Sequence, residues 1–344
     1  MNAYISDILA QPDALRRAVN KFSTQSLAPI CQGLDNGKFD RIIITGMGSS
    51  HNASYPAYLQ LATLSIPVTL VNTAELLHYF SGQIGTRTLL WLNSQSGRSA
   101  ELVHLLERIK TAPPACILAS VNDETSPLAS VADICLPIHA GPEATVSTKT
   151  YINTLATNLL AALHLTEQDV DTSKSQILST ADKMEAYLSD WQAHVSHIDF
   201  LLGDFEELFI IGRGPSMSTT WTGALICKEA AKYAAEGMNA ADFRHGPLEL
   251  ASSSFIALIL AGSPETSALN RNLAADIIKY GGRAIWVDTI PDTQIPTIIY
   301  PATFDMARTL VEIIPLQLLT LVLAERKGIQ PGHFRVVGKV TTRE

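Results

Sequence analysis

The chain is poor in several features that define whole classes of protein. It has four cysteines in 344 residues, and Cys31, Cys116, Cys135 and Cys227 are scattered with no CxxC pair. That excludes a disulfide scaffold or a cysteine-built zinc site and predicts reduced, buried thiols in a cytoplasmic protein. Charged residues are only 17% of the chain against 47% apolar ones, which excludes a disordered polymer and predicts substantial cores. Cations are outnumbered, 25 to 33, for a net charge of −8. A general affinity for nucleic acid or an anionic membrane is therefore excluded as a partner. The opening MNAYISDILAQPDALRR lacks a basic segment followed by an apolar core, so it is not expected to be a signal peptide. The longest apolar run, TLVEIIPLQLLTLVLAE, is broken by Glu312, Pro315 and Gln317, which predicts a buried helix and not a membrane span. There is no GxxxxGK[ST] loop. His51, His78 and His104 show no metal-ligand spacing, so neither a metal nor a cofactor is called for. Trp91, Trp191, Trp221 and Trp286 form no assignable cluster.

What is present is an echo. FDRIIITGMGSSHNASYPAYLQLAT reads as an apolar strand at Ile42–Ile44, a turn with Gly46, Gly48, Ser49 and Ser50, then a helix. LFIIGRGPSMSTTWTGALICKEAAKYA repeats the plan with Phe209–Ile211, then Gly212, Gly214 and Ser216. Gly48 and Gly214 are 166 positions apart, and the same offset carries later strands onto one another. A duplicated α/β unit is the economical explanation, each copy with a parallel sheet and helices on both faces. A polar helical stretch at about 166–197 would join the halves. Ligands of such sheets bind at the carboxyl ends of the strands, where these turns lie. The glycines of GRGPS could equally serve only to reverse the chain.

The segment LWLNSQSGRSAELVHLL asks for more than reversal. A buried strand ends, and Ser94, Gln95, Ser96, Gly97 and Ser99 follow before a helix whose Leu102, Leu105, Leu106 and Ile109 share one face. One serine would be an ordinary N-cap. Three hydroxyls and an amide suit an anion at a helix N-terminus, and Ser50 on the neighbouring turn could reach the same ligand. A nucleotide is the rival. However, His51 stands where the dinucleotide fingerprint needs its third glycine, and Glu75, the candidate ribose acid, sits at a helix start. A small phosphorylated metabolite fits better.

These motifs together resemble the sugar isomerase (SIS) family, specifically the isomerase half of glucosamine-6-phosphate synthase. GMGSSHN is similar to its first serine turn, SQSGRSAE to its phosphate loop, and GPEATVSTKT to its sugar-contacting loop. GALICKEA, FRHGPLEL, IPLQLL and VGKVTTRE complete the likeness, and ILAQPDALRRAV resembles the segment that joins the two halves of that enzyme. The resemblance implies an α/β fold of two tandem SIS domains, each a doubly wound parallel sheet with helices on both faces. It divides the chain into an N-terminal helical segment 1–24, a phosphate-binding domain 25–180, and a second domain 195–344 ending in a catalytic tail. It implies that Ser50, Ser94, Gln95, Ser96 and Ser99 hold a sugar phosphate, and that Val146 and Ser147 contact sugar hydroxyls. Glu229 would move a proton between C1 and C2. His245 would open the ring, reaching across a homodimer into its partner's site. Lys339 would form a Schiff base with the open sugar, Val337 and Val340 packing the tail down beside it. Two positions depart from the family, which has charged residues where this chain has Ile226 and Thr222.

Each residue also has a plainer explanation. Glu229 beside Lys228 could be a solvated helix pair, His245-Gly246-Pro247 a turn, and Lys339 a surface lysine. Together they suit aldose–ketose chemistry. A histidine titrates near neutrality, a carboxylate reaches two adjacent carbons, and a neutral amine forms an imine. A remote phosphate anchors and orients the substrate. The chain starts where the glutaminase half would end, which points to the reverse direction. The expected function is deamination and isomerisation of a hexosamine 6-phosphate to a ketose 6-phosphate and ammonia. A fructosamine-phosphate deglycase, a plain phosphosugar isomerase and a non-catalytic sugar-phosphate sensor are the alternatives.

Overall fold

The computed structural model describes every residue except Met1, Val337, Thr342 and Glu344, so half of the expected valine pair in the tail, Val337, lies outside the described residues. The chain forms two compact units. One comprises Asp13–Glu143, Ser147–Leu178 and Val336–Glu344; the other comprises Met1–Pro12, Ala144–Val146 and Ser179–Arg335.

The first unit is built on a five-stranded sheet of β1 (Arg41–Gly46), β2 (Val68–Asn72), β3 (Thr88–Ser94), β4 (Cys116–Val121) and β5 (Ile134–Pro137), in the order β2-β1-β3-β4-β5. All its pairings are parallel. β3 lies inside the sheet and is buried from Thr88 to Asn93. This explains its unbroken apolar run, since a central parallel strand is covered on both faces. The helix Ala100–Ile109 buries Leu102, Leu105, Leu106 and Ile109 as one face, against Leu90, Leu92 and Ala119 of the sheet. The helix Lys149–Leu165 is buried along almost its whole length.

The second unit repeats this order. β6 (Glu207–Gly212), β7 (Ala235–Asn239), β8 (Phe255–Leu260), β9 (Arg283–Asp288) and β10 (Thr297–Ile299) are arranged β7-β6-β8-β9-β10, again all parallel. The joining stretch is helical, as Val170–Leu188 and Trp191–Leu202. The long apolar run is the helix Arg308–Arg326, buried within the protein from Thr309 to Ala324. It packs closely on the helix Met217–Ala231, where a Cβ on Gly223 would come within 2.4 Å of Leu316.

The cysteines need one correction. Cys116 and Cys227 are buried, and burial pushes the Cys227 thiol up to about 12. Cys31 and Cys135 are only half-buried.

Candidate active site

In the first sheet the strand order reverses between β1 and β3, because the chain leaves β1 to one side for β2 and returns to the other for β3. The crevice at the carboxyl ends of two such strands is the ligand position in doubly wound sheets. Gly46 and Asn93, the last pair between β1 and β3, are neighbours there. The approach is tight, since a Cβ on Gly46 would lie 2.9 Å from the Asn93 carbonyl and 3.0 Å from the His51 amide. Ser50 follows on the short helix Gly48–Ala53 and is half-buried.

The turn after β3 is shaped by its own hydroxyls. Ser94 Oγ accepts from the Gly97 amide at 3.0 Å, and Ser96 Oγ accepts from the Arg98 amide at 3.2 Å. Both oxygens act as acceptors here, which leaves each hydroxyl proton to donate. Ser99 is the N-cap of the helix Ala100–Ile109, yet its side chain makes no capping bond. Gly97 has φ +61° and sits so close to Ser126 that a Cβ would meet Ser126 Oγ at 2.2 Å, which explains why glycine is used. Arg98 turns away, donating to Asp123 Oδ2 at 3.1 and 3.0 Å. Bonds from the Thr125 hydroxyl and amide, then from Arg98, hold the Asp123 carboxyl below the usual carboxylate range.

Beneath the turn lies a buried polar chain that no motif or spacing announces. Trp91 Nε1 donates to Ser120 Oγ at 2.9 Å, which donates to Asn158 Oδ1 at 2.7 Å. Asn158 Nδ2 donates to Asn93 Oδ1 at 2.7 Å and Ser54 Oγ at 3.3 Å. This chain ties β3, β4 and the helix Lys149–Leu165 together where the turn begins, rigidifying its base.

The tail reaches the same turn. The carbonyl of Thr341 accepts from the Ala100 amide at 3.0 Å, so one first-turn donor of that helix is taken by the protein and not left to an anion. Lys339 Nζ donates to the Glu143 carbonyl at 2.6 Å and to Glu143 Oε2 at 2.9 Å. Ser147, in the loop that follows Glu143, shares a 2.7 Å hydrogen bond with the Thr150 hydroxyl.

The first unit thus brings Ser50, Ser94, Gln95, Ser96, Ser99, Ser147 and Lys339 into one body. Glu229, His245 and Val146 belong to the second unit. Val146 is buried, so only its backbone could meet a ligand. Glu229 is half-buried on the helix Met217–Ala231, and its carbonyl accepts from Lys232. Ile226 and Thr222, on the same helix, are fully buried. A charge at either position would need a buried partner. His245 ends the helix Ala240–Arg244, is exposed, and precedes Gly246 at φ +137°. The GRGPS turn of the second sheet is used internally. Ser216 is buried and donates to Glu312 Oε1 at 3.0 Å, and Arg213 donates to Asn270 at 3.0 Å.

Comparison with known proteins agrees with this architecture. Residues 38–164 match the SIS domain family. The chain is 31% identical over 353 aligned positions to the glutamine–fructose-6-phosphate aminotransferase (isomerizing) of Pyrococcus horikoshii, covering 99% of this chain and 57% of that relative. It therefore spans little more than half the length of that protein. Among solved structures it is similar to the C-terminal domain of glucosamine-fructose-6-phosphate aminotransferase from Francisella tularensis, with TM-score 0.82, 22% identity, and coverage of 96% of this chain and 98% of that one. It is also similar to a glucosamine-6-phosphate deaminase from Thermotoga maritima, with TM-score 0.79, 18% identity, and coverage of 99% and 100%.

Proposed function

The chain is a SIS-domain protein, homologous along nearly its whole length to the isomerase half of the glutamine–fructose-6-phosphate aminotransferases, and from that premise we propose that it deaminates and isomerises a hexosamine 6-phosphate. The products are a ketose 6-phosphate and ammonia, and one water is consumed. The observation that carries this proposal is the company kept by the serine turn. A lysine amine is docked in the same unit by a tail that bonds to the helix start immediately after the turn. A phosphate site alone would suit a sensor; an amine held beside it suits covalent chemistry.

The steps follow from the residue types. The phosphate is held by Ser94, Gln95, Ser96 and Ser99, with Ser50 beside them, and Ser147 and the Val146 backbone meet the sugar. His245, exposed on its own chain, opens the ring in the partner of a homodimer. Glu229 takes the proton from C2 and returns it to C1, which turns the C2 amine into an imine. Neutral Lys339 adds to C2, and ammonia leaves with the electron pair of the C2–N bond. Water then adds to the lysine imine, and the C2–N bond to Lys339 breaks to give the keto sugar and the free amine. The likeness to a protein described as a glucosamine-6-phosphate deaminase supports this direction. The two parallel sheets would be tandem SIS domains of a cytoplasmic enzyme, in segments 25–180 and 195–344 after a helical 1–24.

Buried, uncharged Ile226 and Thr222 favour one second proposal, a plain aldose–ketose isomerase, because they remove charge from the Glu229 helix. Incubating the protein with a panel of amino-sugar and ketose phosphates, while assaying ammonia and ketose phosphate, separates these functions. Both products should form together from a hexosamine 6-phosphate. Isomerisation without ammonia would replace the first proposal by the second, and no turnover with tight binding would leave a sensor.

A further inference from the structure

Glu143 was not singled out by any catalytic motif, yet it is the most heavily bonded carboxylate near the serine turn. Its side chain is 0% exposed. Oε1 accepts from the Thr148 amide at 2.9 Å, the Thr148 hydroxyl at 3.1 Å and the Thr150 amide at 3.0 Å. Oε2 accepts from the Thr150 hydroxyl at 2.6 Å and from Lys339 Nζ at 2.9 Å. The threonine donors are neutral and set the carboxylate's orientation. Lys339 supplies the opposite charge, without which a buried carboxylate is costly. The lysine is fixed twice over, because the Glu143 carbonyl takes a second Nζ bond at 2.6 Å. Two residues further on, the Thr341 carbonyl pins the tail to the Ala100 amide.

We propose that Glu143 is the positioning residue of the tail lysine: a preorganised carboxylate that captures Lys339 and holds the C-terminal segment beside the phosphate turn. Beside this pair, the described tail is held at the turn by the Thr341–Ala100 bond. Gly338 is exposed, and Val340 is only half-buried. Among the described residues of the tail, the ion pair and one backbone bond are thus the polar anchors of a chain end that would otherwise be loosely held. The Glu143 carboxylate is held by the start of the helix Lys149–Leu165 and not by the tail, so the lysine can leave its proton on Glu143, add as the neutral amine to the C2 imine of the substrate, and take the proton back when it returns to the same place. The inference deepens the proposed Schiff-base role of Lys339 and rests on it for its catalytic meaning. The latch itself can be tested without any turnover.

The test compares wild type, Glu143→Gln, Glu143→Asp and Thr148→Val. Thr148→Val removes one neutral donor to the carboxylate and spares the ion pair. The first readout is trypsin cleavage after Lys339, followed by peptide mass, because proteolysis tracks the population of the released segment. The second is kcat and KM on the best hexosamine 6-phosphate. Glu143→Gln should speed cleavage after Lys339 by about tenfold and lower kcat by about 10- to 100-fold, with KM within about twofold. Glu143→Asp should recover part of both, and Thr148→Val should keep the tail protected. Tail protection equal to wild type in both Glu143 variants would overturn the proposal, as would a Thr148→Val tail released as fully as that of Glu143→Gln. If wild type shows no turnover at all, the Schiff-base role falls while the cleavage data still decide the latch.

Discussion

Ser94 and Ser96 differ from ordinary turn serines in how their hydroxyls are used, since each accepts from an amide two or three residues on and keeps its proton to donate. Ser96→Ala should therefore weaken binding of a sugar phosphate by about 1–3 kcal/mol, the worth of one hydrogen bond to a charged group, with little change in melting temperature. Titration calorimetry with the substrate's phosphate analogue measures this, and an unchanged affinity would move the anion elsewhere. Glu312 carries a different prediction. It is fully buried, and burial pushes its carboxyl from the ordinary 4.5 up to about 7. The folded protein then holds this proton more tightly than the unfolded chain. The resulting stability is complete below about pH 4.5 and is lost as pH rises through about 7. The loss is on the order of 3 kcal/mol at full ionisation. Glu312→Gln should melt near wild type at pH 5 and above it at pH 8. Equal melting temperatures at both values would show that the carboxylate finds compensation on ionising.

At the scale of the element, the turn after β3 depends on Gly97. Its φ of +61° and its contact with Ser126 leave no space for a side chain. Gly97→Ala should raise KM for any phosphorylated substrate by about tenfold through strain in the turn, leaving the sheet intact by circular dichroism. An unaltered KM would show that the turn does not form the phosphate site. Local pattern made this region readable before the fold was known. A 3.6-residue stripe identified the helix Ala100–Ile109, an unbroken apolar run identified β3, and hydroxyl density marked what lay between. The pairing of Glu143 with Lys339 was not readable, because 196 positions separate the two and no local period reports so distant a contact. The Asn93–Asn158–Ser120 chain was hidden for the same reason, as were the Ser216–Glu312 bond and the use of the Ala100 amide by the tail. Apolar residues announce burial by spacing, whereas a buried polar residue looks like any surface one until its partner is known.

At the scale of the molecule, two sheets with one strand order follow from a sequence whose strands recur at a near-constant offset. The halves have diverged in their turns. The first keeps its serine hydroxyls available, while the second commits Ser216 to Glu312. If His245 serves a neighbouring subunit, then inactive Glu229→Gln and inactive His245→Ala proteins should regain activity when mixed. About a quarter of the wild-type rate is the statistical ceiling for mixed dimers in free exchange, each with one intact site. Demonstrated exchange without recovery would mean that each chain completes its own site. The central claim is that a sugar phosphate held at the serine turn becomes covalently joined to Lys339, and borohydride trapping during turnover tests it most directly. Peptide mass should find the reduced sugar phosphate on Lys339 and on no other lysine, and Lys339→Arg, whose guanidinium is not deprotonated, should bind substrate without turnover or adduct. Continued turnover with no adduct, or an adduct on a different lysine, would contradict the account.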